Sequence, residues 1–151
     1  MDTVIPIGTV EFLHLCVGHR KSMDTRNHIT ALAGIGLQGD RHAIPNSLRQ
    51  VLIIDLNTLD HFGLKPGQVR ENITVSGLDI HKCLPGQLLQ IGENVILEVT
   101  GLCEPCSRMD EIRSGLQRKM DGKRGVLTFV VHGGPLHIGD DVQLRPGINF
   151  K

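Results

Sequence analysis

Glycine sets the grain of this chain. Its 18 glycines stand mostly beside short apolar runs, a pattern that predicts many tight turns between short strands. "GTVEFLHLCV" (8–17) is apolar with β-branched residues and reads as a strand. "HITALAGIGLQGDRH" (28–42) starts extended and breaks at Gly34, Gly36 and Gly39. "RQVLIID" (49–55) is a continuous apolar run, the mark of a strand buried on both sides. "VRENITVSG" (69–77) alternates and ends on a Ser-Gly turn. "PGQLLQIGENVILEVTG" (85–101) reads as a hairpin turning at Gly92-Glu93-Asn94. "GVLTFVV" (125–131) and "GGPLHIGDDVQLRP" (133–146) add further strands.

Two stretches change period. In "DLNTLDHFGL" (55–64), Leu56, Leu59 and Phe62 share a helical face, Asp55 can cap the start and Gly63 can stop it. After Cys106, the residues Met109, Ile112, Leu116 and Met120 fall on one helical face. Ser107 is placed as its N-cap, Asp110-Glu111 and Arg118-Lys119 suit the two ends of the dipole, and Gly122 ends it. Many short strands, glycine corners and two helices predict a mainly β barrel with a few short helices, one domain over residues 1–151.

The charge inventory narrows the partners. Lys plus Arg and Asp plus Glu both number 16, so no net charge drives the chain to nucleic acid or an anionic membrane. Four Phe with no Trp or Tyr leave little for stacking single-stranded bases. No segment reaches the roughly 18 apolar residues of a membrane span. The start, "MDTVIPIGTVEFLHLCVGHR", lacks the features of a signal peptide. A cytoplasmic, thiol-reducing compartment is the default, with Cys16, Cys83, Cys103 and Cys106 as free thiols or ligands. Neither a monomer nor a homodimer is singled out.

"VTGLCEPCSRM" (99–109) places Cys103 and Cys106 in a C-x-x-C. Half a zinc site would need two further ligands, and the eight histidines are scattered without a second tight pair. A thioredoxin-like pair would need a βα setting that a late hairpin does not provide. One activated thiol remains: Cys106 at the mouth of the predicted helix, near Arg108, as a nucleophile or a soft metal ligand. The alternative is two small buried hydrophobes, which is what cysteines usually are and what the spacing alone slightly favours. Cys103 is assigned a supporting role, and Cys16 and Cys83 a buried one. "GLQGDRH" (36–42) can present Asp40, Arg41 and His42 at a pocket mouth or serve as a polar turn. Arg70 and Asn72, two apart on a predicted strand, share a face; they can fork onto an anionic ligand or simply face solvent.

"GLQGDRH", "RQVLIID", "LKPGQVRENITVSGLDI", "LPGQLLQIGENVILEVTGLCEPC" and "GKRGVLTFVVHGGPLHIGDDVQL" occur in that order. The series resembles the MOSC domain, named for the C-terminal domain of molybdenum cofactor sulfurases, from about Gly8 to Leu144, in its small standalone bacterial form. The resemblance implies a β-rich barrel and a cysteine that handles the molybdenum cofactor or sulfur. In amidoxime-reducing relatives the cysteine closing a C-x-x-C ligates molybdenum, which implies that role for Cys106. An Arg-x-Asn binds the cofactor's phosphate side, which implies it for Arg70 and Asn72. Arg41 and His42 are assigned to cofactor binding as well, with Asp40 and His42 lining the site. Those relatives have a polar residue and an arginine between the cysteines, where this chain has Glu104 and Pro105.

Three functions follow from the resemblance. One is a molybdenum-cofactor protein reducing N-hydroxylated compounds, with electrons from a separate donor protein because the chain offers no flavin or iron–sulfur motif. A second is a carrier working beside a sulfurase, holding a persulfide on Cys106 or the cofactor for delivery. A third is a non-catalytic interaction domain.

Overall fold

In the computed structural model, which describes residues 6–145, eleven short strands carry the chain. They are β1 (Ile7–Leu15), β2 (Asp24–Arg26), β3 (His28–Leu32), β4 (Gly36–Leu37), β5 (Val51–Asp55), β6 (Ile73–Ser76), β7 (Leu88–Ile91), β8 (Val95–Leu102), β9 (Val126–His132), β10 (Gly134–His137) and β11 (Asp141–Arg145). Seven close into a barrel in the order β11-β7-β8-β9-β5-β6-β1, and β1 returns to β11. Closure removes the open edges that would otherwise invite pairing with other chains. All barrel neighbours are antiparallel except β5 and β6, which run parallel with Ile53 beside Ile73. The order β10-β3-β4 forms a small second sheet, and β2 pairs with the far end of β1.

Alternation fills the barrel. Val95, Leu97 and Val99 of β8 are fully buried while Ile96 and Glu98 between them are only partly covered. In β1 the register shifts between Val10 and Phe12, so Leu13 is buried and Phe12 is left exposed. All five residues of β5 are buried because the strand is covered on both faces. Val51 and Ile53 join the barrel core, Ile54 joins an outer cluster with Leu59, Met109 and Leu116, and Leu52 packs with Cys103 and Leu127.

The expected short helix is α1 (Leu56–His61), and Asp55 caps it by accepting from the Thr58 N–H at 3.0 Å. The expected hairpin joins β7 to β8 with Ile91 opposite Val95. The helix expected after Cys106 is instead two pieces, α2 (Arg108–Ile112) and α3 (Leu116–Lys119). Arg113 turns extended and Gly115 adopts φ +84°, which breaks the ladder. Ser107 makes no side-chain cap. The apolar period was nonetheless real: Met109, Leu116 and Met120 are buried and Ile112 packs against them. The strand expected over 69–77 starts only at Ile73, because Arg70 stands at φ +67°.

Candidate functional site

Where β5 and β9 turn Leu52 and Leu127 away from the barrel core, these two side chains border a cavity of about 400 Å³. Loops from five places in the chain complete it. The turn after β1 brings Cys16 and His19; the stretch before β5 brings Arg41, His42, Ile44 and Arg49. Arg70 and Asn72 arrive before β6, Cys103 and Arg108 after β8, and Arg124 before β9. Among the described residues, five arginines and two histidines thus line one cavity, and no carboxylate does. In a chain with 16 cationic and 16 acidic side chains this is a segregation of charge. Such a cavity focuses a positive potential and favours an anion. His19 registers the field: partial loss of water and then Arg41, Arg108, Arg20 and Arg70 lower its pKa.

Asp40 sits behind this wall. Its Oδ1 accepts from the Cys16 N–H at 2.6 Å and from Asn72 Nδ2 at 3.0 Å. Its Oδ2 accepts from the His42 N–H at 2.9 Å and faces His42 Nδ1 at 3.2 Å. Burial pushes the carboxyl up, but the bonds from the His42 ring, the Cys16 N–H and the His42 N–H outweigh it, and the pKa lies below the ordinary aspartate range. Asn72 is fully engaged: Oδ1 accepts from the Leu52 N–H at 3.0 Å, and Nδ2 donates to the His14 carbonyl at 3.1 Å as well as to Asp40.

Arg70 is not on a strand, so the shared strand face expected with Asn72 does not exist. Its left-handed backbone turns the side chain onto the loop after β1. Nη1 donates to the Lys21 carbonyl at 2.8 Å; Nη2 donates to the Gly18 carbonyl at 3.1 Å and lies 3.0 Å from Cys16 Sγ. Arg70 and Asn72 do come together at the cavity, but as the clamps that shape its wall.

The two cysteines of the pair part company. Cys103 is buried and borders the cavity, and burial pushes its thiol pKa up. Cys106 is partly exposed and stands outside the cavity lining, reached from it by Arg124, whose Nη1 is 3.6 Å from Cys106 Sγ. The cation facing this thiol is therefore Arg124, which the sequence reading did not single out, rather than Arg108. Arg124 is buried, donates to the Glu104 carbonyl at 3.2 Å and the Val69 carbonyl at 3.1 Å, and leaves its Nε without a partner. The available signal was its place between Lys123 and Gly125, just before a strand. Cys16, His19 and Arg49 were also missed as cavity residues. Among the described residues no group of three or more His, Cys, Asp or Glu side chains is placed to hold a metal ion, and no helix is long and apolar enough to cross a membrane.

Beside Arg70, Glu71 is fully buried and accepts from the Gly67 N–H at 2.7 Å and Thr74 Oγ1 at 2.9 Å. Burial raises its pKa despite these bonds. The folded state therefore holds the proton to higher pH than the unfolded chain, and stability falls as pH rises above the ordinary carboxylate range. Glu71→Gln is expected to remove that decline and to stabilise the protein at neutral pH, as read by urea denaturation at several pH values.

The molecule is thus a small closed β-barrel domain with a thiol-flanked cationic cavity on its wall. The profile of the MOSC domain matches residues 47–143, and the chain belongs to the MOSC domain family, which is associated with the molybdenum cofactor. Solved structures share the fold. The YuaD protein from Bacillus subtilis superposes with a TM-score of 0.79 at 19% identity, over 93% of this chain and 96% of that one. YiiM from Escherichia coli gives 0.67 at 17%, over 98% and 73%. YiiM from Geobacillus stearothermophilus gives 0.68 at 15%, over 91% and 74%. No curated protein matches the sequence.

Proposed function

We propose that this chain binds the molybdenum cofactor in the cationic cavity, with the Cys106 thiolate as the protein ligand to molybdenum, and that it reduces N-hydroxylated compounds. The observation that carries this is the cavity wall of five arginines and two histidines with no carboxylate, set beside a partly exposed thiol.

The residues fit such a group. Arg124 Nε is buried without a partner, and Arg41, Arg49 and Arg108 have no carboxylate within salt-bridge distance among the described residues. Arg124 is buried, Arg108 half-buried and Arg41 and Arg49 exposed, and cationic donors gathered this way around one cavity favour a phosphate-bearing, heteroatom-rich anion. Arg41, Arg49 and Arg108 would hold its phosphate, and Cys106 would hold the metal. Bound there, the cofactor would supply a metal that exchanges electrons with the substrate. The protein's part is to bind and orient. Arg124 ties the 103–106 loop to Val69 and holds its guanidinium 3.6 Å from Cys106 Sγ. Arg70 holds the loop that carries His19 over the cavity. Electrons come from a separate donor protein.

The test is metal analysis of protein purified without oxygen from a host that makes the cofactor, beside Cys106→Ala. The expected result is molybdenum near one per chain, falling at least about tenfold in the variant, a loss of roughly 1.4 kcal/mol in binding. No molybdenum in either protein overturns the reading. A sulfane sulfur on Cys106 would then identify a carrier, a role that the thiol's position outside the cavity lining also suits.

A further inference from the structure

We infer that His42 is the proton-transfer residue of this cavity and that Asp40 positions it. The inference rests on the reductive reading above and assigns a residue that reading leaves without a task.

Two imidazoles border the cavity, His19 and His42, and among the described residues only His42 has a carboxylate within reach. The Asp40 side chain is wholly buried, whereas that of His42 is half exposed. Asp40 is itself tied down, because the Cys16 N–H and Asn72 Nδ2 both donate to the oxygen that does not face the ring. Its other oxygen takes both the His42 N–H and Nδ1. Backbone and ring of one histidine are thus pinned to one buried acceptor. With Nδ1 occupied, Nε2 is the ring nitrogen left for a bound molecule. This is the arrangement by which a buried carboxylate selects an imidazole tautomer and steadies the imidazolium.

The proposed reaction needs such a group. Converting N–OH to N–H takes up two electrons and two protons and releases water. The donor protein supplies the electrons. The hydroxyl oxygen leaves as water only if it gains a proton as the N–O bond breaks. In the assigned step the Nε2–H bond of the His42 imidazolium breaks and an O–H bond forms on the leaving oxygen, while the two electrons stay on the nitrogen, which takes the second proton from water. The ring is left as the neutral Nδ1–H tautomer, which Asp40 accepts. The half-exposed ring then regains its proton from water. His19 lacks a carboxylate partner among the described residues, and the arginines around it oppose its charging.

The test has two parts. In cofactor-free protein, nitrogen-15 NMR of the imidazoles is expected to show neutral His42 as the Nδ1–H tautomer, and Asp40→Asn to lose that preference. In loaded protein, His42→Ala is expected to keep its molybdenum, to lose about 100-fold in kcat with little change in KM, and to recover rate with added imidazole. A purely structural histidine would give no such rescue. An Nε2–H tautomer in the wild type, or a loaded His42→Ala with unchanged kcat and pH profile, overturns this inference alone. A protein that never holds molybdenum overturns the underlying reading and this one with it.

Discussion

Gly125→Ala is expected to lower the unfolding free energy by at least about 3 kcal/mol, a large share of the roughly 5–15 kcal/mol that holds a domain together. Gly125 adopts φ +99°, and a Cβ built there lands on the Ile53 carbonyl oxygen of the neighbouring strand. That obstacle is backbone in the barrel wall, so it cannot swing aside as a flexible side chain would. The carbonyl of Gly125 also accepts from the Cys103 N–H at 2.9 Å, and Arg124 is its neighbour. The substitution therefore disturbs the barrel and the thiol loop together. Gly122→Ala is the control: its φ is +75°, but nothing stands within 4 Å of the added carbon, so only about 1 kcal/mol of backbone strain is expected. Urea denaturation measures both. A Gly125→Ala midpoint as high as that of Gly122→Ala would mean that β5 gives way at Ile53 with little cost.

Asn72→Ala is expected to cost about 2–4 kcal/mol, since its amide satisfies several buried groups at once. Removing it strands the Leu52 N–H, the His14 carbonyl and one bond to Asp40. Those contacts join β5, β1 and the loop carrying His42, so the loss reaches the cavity. The Cys16 thiol, buried in the folded protein, is expected to react faster with a thiol reagent in this variant. An Asn72→Ala protein within about 0.5 kcal/mol of wild type that binds cofactor poorly would reverse the assignment and make the amide a ligand group.

Much of the barrel was legible because burial writes a local period. β5 read as a strand covered on both sides, and it is; the hairpin at Gly92 and the helix capped by Asp55 also stand where the residues placed them. The long helix after Cys106 failed for a reason of its own. The apolar spacing reports which side chains reach the core, but it does not report that the backbone between them breaks at Arg113–Gly115. Arg70 misled in the same way, because an alternating pattern carries no mark of a left-handed residue at its head. On the site, Cys103, Arg41, His42, Arg70 and Asn72 do border one cavity, whereas Cys106 stands just outside it and Arg124 was overlooked.

By itself, then, the sequence determined a closed, mainly β fold of the MOSC type, because strand period, turn chemistry and ordered motifs are properties of neighbouring residues. Only the tertiary structure decided what each polar side chain does. Arg70 reaches Cys16 across 54 positions of the chain, and Arg124 reaches Val69 across 55. Whether an arginine clamps a loop or awaits an anion depends on which carbonyls and carboxylates the fold brings within about 3 Å of it, and no local pattern records that.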